Sequence, residues 1–185
     1  ILKNDESLIK LEEEWIPPKH RKTHVFKYDG DETVMSPSLE YAIKCFLLSI
    51  AGRNCRFDPF QHNTMLINVT NFVDTQQQVV DLVKAKLDEL TNGIKGNYTS
   101  FIQDLKKIWE EDFKKTTNDL NHMISSQEVF LNNGKIFNDI SWEKILEQLK
   151  SSKISKEIKI QKVYGNNKDV LLYKDYEETG LNIIA

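Results

Sequence analysis

The stretch Met65-Leu66-Ile67-Asn68-Val69 does most to limit what this chain can fold into. It is a short apolar run with β-branched members, closed by polar Thr70 and Asn71, and it reads as a central strand. An amphipathic helix is expected from about Asp74 to Leu90, turning Val79, Val80, Val83, Leu87 and Leu90 toward the sheet. Asp74 stands where an N-cap is needed, with Gln77 at the capping-box position. Strand, short turn and amphipathic helix make the first half of a βαβ unit.

The flanking elements extend that pattern. Ser36 and Pro37 are a suitable N-cap and first residue for a helix over about Ser38–Ile50, whose Leu39, Ala42, Ile43, Phe46, Leu47 and Ile50 recur at helical spacing. Gly52 is expected just past its end. After a break at Gly93, Gly96 and Asn97, a long helix is predicted over Tyr98–Asn121, with Phe101, Leu105, Ile108, Trp109, Phe113 and Leu120 as its stripe. A short helix over Ser125–Leu131, a turn at Asn132-Asn133-Gly134 and a helix over Trp142–Leu149 capped by Ser141 come next. Ile158–Tyr164 and Leu181–Ala185 are two further strands, with Asp169–Tyr173 an extended connector or edge strand. The fold class is therefore α/β, a parallel sheet flanked by helices. Residues 92–135 are long for a crossover and read as a helical insertion projecting from the sheet. Residues 1–35 mix charge, proline and aromatics and read as an N-terminal arm or linker, with a short helix over Ser7–Trp15 stopped at Pro17-Pro18.

Composition narrows the class without naming a function. With 39% hydrophobic and 29% charged residues, the chain has the balance of a soluble globular protein. No apolar run reaches membrane-span length, so no membrane partner is expected, and Cys45 and Cys55 make no metal-ligand pattern; a reducing, cytoplasmic setting is the expectation. The net charge of -3 decides nothing about nucleic acid, because a local basic patch is enough to bind it. The chain stops at Ala185, directly after a run that reads as a core strand, and is expected to be a fragment of a larger intracellular protein. On that expectation, truncation would expose apolar surface, and dimerisation of the fragment would be an artefact.

No phosphate-loop, dinucleotide-fold, zinc-protease or nucleophile-elbow motif is present. Two places carry candidate chemistry. Arg53 and Arg56 lie after the first helix, and His62-Asn63 directly precede the central strand; paired guanidinium groups there would clamp phosphate. The second place is the carboxyl edge of the sheet, where open α/β sheets bind ligands. Thr70, Asn71 and Thr75 sit there at a helix N-terminus, and Gly165 and Asn166 occupy the equivalent place after the second strand. Such a row matches phosphate contacts that do not read bases. A nuclease would need converging acids, for which Asp58 and Asp74 are the nearest to the arginines.

The helix Leu39–Leu48, then Gly52-Arg53-Asn54-Cys55-Arg56, then His62-Asn63-Thr64-Met65-Leu66 and the Gln76–Val83 helix together resemble the Z-one domain family of bacterial helicase-like ATPases. Members are often labelled endonucleases and lie near genes of DNA repair, restriction or phage defence. Phe57 stands where members usually carry glycine. The resemblance implies that Met65–Val69, Ile158–Val163 and Leu181–Ile184 are strands of a second RecA-like lobe, so that residues 36–185 form a partial domain. It implies a parent that uses ATP and Mg²⁺ through motifs outside this chain, with DNA and the remaining helicase-like regions of the same polypeptide as partners. The function expected is a non-catalytic part of an ATP-dependent helicase or translocase, contributing scaffold and DNA-backbone contacts. An Mg-dependent endonuclease module or a protein-interaction module is the alternative.

Overall fold

The computed structural model describes residues 10, 15–17, 19–56, 62–129, 132–151, 154, 158–162 and 182–185. In chain order the elements are α1 (Pro37–Arg56), β1 (Asn63–Met65), α2 (Val73–Lys95), α3 (Thr99–Ile108), a π-helical turn (Trp109–Lys114), α4 (Lys115–Ser125), a 3₁₀ turn (Asn132–Gly134), α5 (Trp142–Lys150), β2 (Ile158–Ile160) and β3 (Asn182–Ile184). The result is a mixed α/β fold with a small parallel sheet flanked by helices.

The sheet order is β1-β3-β2, with β3 paired in parallel to both neighbours. Met65 and Ile160 both stand opposite Ile184. Backbone pairing continues past the strand ends: Ala185 N–H donates to Met65 O at 2.9 Å, Ile67 N–H to Ala185 O at 2.7 Å, and Gln161 N–H to Ile184 O at 3.0 Å. β1 thus begins two residues earlier than the apolar run and ends at its first member. The run still alternates beyond it, with Ile67 and Val69 half-buried and Leu66 71% exposed. The expected connector Asp169–Tyr173 lies outside the described residues.

α1 starts as its sequence requires. Ser36 is buried, its Oγ accepts from Leu39 N–H at 3.4 Å, and its carbonyl accepts from Glu40 N–H. The expected stop at Gly52 is wrong, because the helix runs on to Arg56. Gly52 serves packing instead: a Cβ there would lie 3.3 Å from two ring carbons of Trp109. The carrier of that ring is not a plain helix either. Where one helix was expected over 98–121, a π-helical turn interrupts it, and Trp109 and Phe113 stack with centroids 5.3 Å apart. Leu105, Ile108 and Trp109 join the same core as Ile43 and Leu47, so this helical stretch packs onto α1 rather than projecting from the domain. α4 ends at Ser125, a turn with Gln127 at positive φ follows, and the helix expected from Ser125 does not form over the described residues.

α2 is longer than its amphipathic run, ending at Lys95 with Gly96 as C-cap. Its N-cap is Phe72, which offers no side-chain bond; Asp74 sits in the first turn, and Gln77 donates to Asp81 at 2.8 Å instead of closing a capping box. Gly93 lies inside the helix, where a Cβ would stand 2.7 Å from the Phe101 ring. The α2–α3 turn then reverses the chain through Asn97 at φ 56°.

Described residues of the N-terminal arm contribute to the core. Trp15 and Phe26 are each 1% exposed with ring centroids 4.9 Å apart, and Met35 is buried beside them. Gln78 of α2 holds the arm by accepting from Phe26 N–H at 3.2 Å and donating to His24 O at 3.0 Å. Charge then joins three helices. Glu40 pairs with Lys44 at 2.6 Å and Lys86 at 3.2 Å, Lys44 with Asp104 at 2.6 Å, and Lys86 with Glu89 at 2.7 Å.

Two outcomes follow from this packing. Gly93→Ala gains about 1 kcal/mol of helix propensity but overpacks Phe101 by roughly 1–3 kcal/mol. Urea denaturation should show net destabilisation, and a larger one than for Gly52→Ala. The second concerns Glu40, whose carboxyl burial alone would raise; Lys44 and Lys86 outweigh that and hold it below the usual glutamate range. A depressed folded-state pKa gives stability that is present above the unfolded pKa and lost as pH falls through the folded one. Glu40→Gln should therefore lower stability at neutral pH and flatten the loss below the ordinary glutamate range, read by thermal melts across that window.

Candidate nucleic-acid interface

The residues expected to bind phosphate divide between two ends of the sheet. At the amino end, Arg53 in the last turn of α1 donates through Nη1 to Asn63 Oδ1 at 2.8 Å and to His62 O at 3.2 Å. Asn63 is 6% exposed and opens β1; its Nδ2 donates to Oδ1 of Asn182, its register partner in β3, at 2.9 Å. Arg53, Asn63 and Asn182 thus form a relay closing α1 onto the first residues of two strands. His62 is half-buried next to this joint.

Arg56 has separate partners. Its Nη2 donates to Thr117 Oγ1 of α4 at 3.0 Å, its guanidinium lies 5.5 Å from the Phe137 ring centroid, and its buried Nε has no hydrogen-bond partner among the described residues. Burial pulls its pKa below the usual arginine value. The two arginines therefore lie on a helix, not in a loop, and each fastens a different neighbour to α1. Such contacts also place cations at a helix C-terminus, where the dipole favours them.

At the carboxyl end, a crevice of about 320 Å³ opens between the stretch Leu66–Asn71, the start of α2 and the residues that follow β2 and β3. Val79, Val83 and Ile184 give it an apolar floor, while Asn68, Asn71, Gln76, Gln161 and Lys162 supply polar walls. Thr70 is buried, and its Oγ1 accepts from Phe72 N–H at 3.1 Å. His20 Nδ1 lies 2.9 Å from Pro17 O, a carbonyl that can only accept, so in the neutral ring Nε2 accepts from the Thr70 hydroxyl at 2.8 Å. Gln76 Nε2 donates to Thr70 O at 2.9 Å. Thr75 is fully buried and donates to Lys22 O at 3.2 Å.

The two threonines are thus turned to the arm, and Asn71 remains exposed at the mouth. The first turn of α2 has no side-chain cap, which leaves its N–H groups for solvent or an anion, with Asp74 nearby as a negative neighbour. Sequence reasoning missed Asn68, Gln76, Gln161 and Lys162 here. The rule that singled out Thr70 would also have found Gln161 and Lys162, which directly follow β2. Gly165, Asn166 and Asp58 lie outside the described residues. Among the described residues, no group of three or more His, Cys, Asp or Glu is placed to hold a metal ion, and no helix is long and apolar enough to cross a membrane.

A small parallel sheet flanked by helices defines a mixed α/β domain. Its family is also shown. The Z1 domain matches residues 38–185, and the chain belongs to the Z1 domain family. No curated protein and no solved structure matches it significantly.

The Arg53 relay makes a direct test of structural against ligand roles. Asn63→Ala removes the buried carboxamide that bonds both Arg53 and Asn182 and should cost about 1–3 kcal/mol, whereas Arg53→Met should cost under about 1 kcal/mol. A double-mutant cycle by denaturant titration should give a coupling of about 0.5–1 kcal/mol, and zero coupling would detach Arg53 from the joint.

Proposed function

We propose that this Z1 domain is a non-catalytic part of an ATP-dependent nucleic-acid helicase or translocase, built as a second RecA-like lobe that grips backbone phosphates. The carboxyl-edge crevice carries the reading. A phosphate placed there meets the uncapped first turn of α2, the Asn68 and Asn71 carboxamides and the Lys162 ammonium, none of which reads a base. The parallel order of the strands and the family membership support it. ATP and Mg²⁺ belong, in this reading, to other parts of the motor, whose closure would move this lobe along the strand.

Arg53 and Arg56 contribute differently from Asn71. As joints of α1 they fix the amino ends of β1 and β3 and the position of α4, and phosphate contact by them would use only the faces these bonds leave over. The crevice is therefore the primary contact.

Fluorescence anisotropy with a labelled single-stranded oligonucleotide tests this. Binding should be weak, with Kd on the order of 10⁻⁴–10⁻⁶ M at physiological salt, and should fall with rising salt. Lys162→Glu together with Asn71→Asp should weaken it several-fold and lower the salt slope by about 1. Salt-independent binding, or no effect of the pair, would remove the crevice from the interface. ATP hydrolysis by the purified domain that persists after removal of contaminants would overturn the non-catalytic assignment.

A further inference from the structure

The arm reaches the carboxyl-edge crevice through a histidine. His20 is half-buried, with Nδ1 2.9 Å from Pro17 O and Nε2 2.8 Å from Thr70 Oγ1. Thr70 lines the crevice, and its Oγ1 also accepts from the N–H of Phe72, the N-cap of α2, at 3.1 Å. In the neutral ring one arrangement of protons satisfies both bonds: Nδ1–H donates to the carbonyl, and the Thr70 hydroxyl donates to Nε2. The arm then holds the hydroxyl hydrogen and keeps it from the crevice.

A second proton on the ring reverses the Thr70 bond. Nε2 becomes a donor, so Oγ1 accepts from both Nε2–H and Phe72 N–H. With its lone pairs engaged, the hydroxyl must turn its own hydrogen to another acceptor, and an anion oxygen in the crevice can supply one. The imidazolium also stands one hydroxyl away from the crevice wall, just ahead of the first turn of α2. The positive end of the helix dipole opposes that charge, and an anion between them offsets both.

The ring's other contacts are the edge of Phe72 and the ring of His24, each with centroids 5.7 Å from its own. His24 Nε2 lies 3.0 Å from Trp15 O and donates there, so a proton added to His24 goes to Nδ1. Two imidazolium rings this close repel, and a charge on either one disfavours the other. Lys19, Arg21 and Lys22 flank His20 on the arm and oppose its charging; Asp74, in the first turn of α2, favours it. Lys162 lines the same crevice.

We propose that His20 is a proton-linked regulator of the crevice, its protonation, relayed through Thr70, strengthening the hold on an anionic backbone. The inference rests on the crevice reading given above and adds to it a dependence on pH.

Anisotropy with a labelled single-stranded oligonucleotide tests it at fixed ionic strength, from about pH 8 to about pH 5, the span in which histidine titrates. Wild-type affinity should rise at least about fivefold toward the acid end. His20→Gln, neutral throughout, should lose most of that rise, while His24→Gln and His122→Gln, the latter on α4 and exposed, should keep it. His20→Arg carries its charge at every pH and should bind more tightly than the wild type at the alkaline end, which separates a lost charge from a damaged fold. A rise that survives in His20→Gln or vanishes in His24→Gln would overturn the linkage, as would alkaline binding by His20→Arg no tighter than the wild type's. Binding that shows no rise with acid would also overturn it and leave the crevice reading standing. Absence of binding at every pH would remove both.

Discussion

β3 is the last stretch of the chain and the middle of the sheet. β1 and β2 do not touch each other; each takes its hydrogen bonds from Asn182–Ile184, and Ala185 extends the ladder toward Ile67. Three strands of three residues bury little by themselves. The β1–β3 pairing joins residues 119 positions apart, so loop-closure entropy opposes it until the helices have gathered. The helices must therefore supply the scaffold on which β3 closes. The crevice at the carboxyl edge exists only once that closure is made, because Ile184 and Ala185 form part of its wall.

That scaffold depends on two close approaches between helices. Gly52 admits the Trp109 ring against α1, and Gly93 admits Phe101 against α2. Both glycines cost helix propensity; a Cβ at Gly93 would force the Phe101 ring to move, while one at Gly52 would only press on Trp109. The π-helical turn completes the arrangement. By lodging an extra residue per turn it keeps Trp109 and Phe113 on one face, stacked on each other, while α4 continues with Thr117 placed under Arg56.

These compensations explain what was and was not legible in the sequence. The apolar stripes of α1, α2 and α5 could be read directly, since Ile43, Leu47, Val79, Val83, Ile145 and Leu149 are buried where periodicity puts them. β2 and β3 fall inside the runs read as strands, whereas β1 shares only Met65 with the run Met65–Val69. Helix ends were not. Gly52 carries the local signature of a stop, but a ring from 57 positions later needs the space, and tertiary packing overrode the local rule. Asp74 and Gln77 look like a capping box, yet the N-cap falls two residues earlier, at Phe72, and the box never closes. The site divided along the same line. Thr70 and Asn71 line the carboxyl-edge crevice, whereas the engagement of Arg53 with Asn63 and Asn182 depends on a relay across 119 residues that no local pattern reveals.

The arm decides what kind of site the crevice can be. His20 and Lys22 occupy the hydroxyls of Thr70 and Thr75, the two groups that would otherwise hold an anion most closely. Trp15 and Phe26 bury that arm too deeply for it to be a loose strap. What the crevice keeps toward solvent includes the exposed Asn68 and Asn71 carboxamides, which could meet a phosphate oxygen without selecting a base.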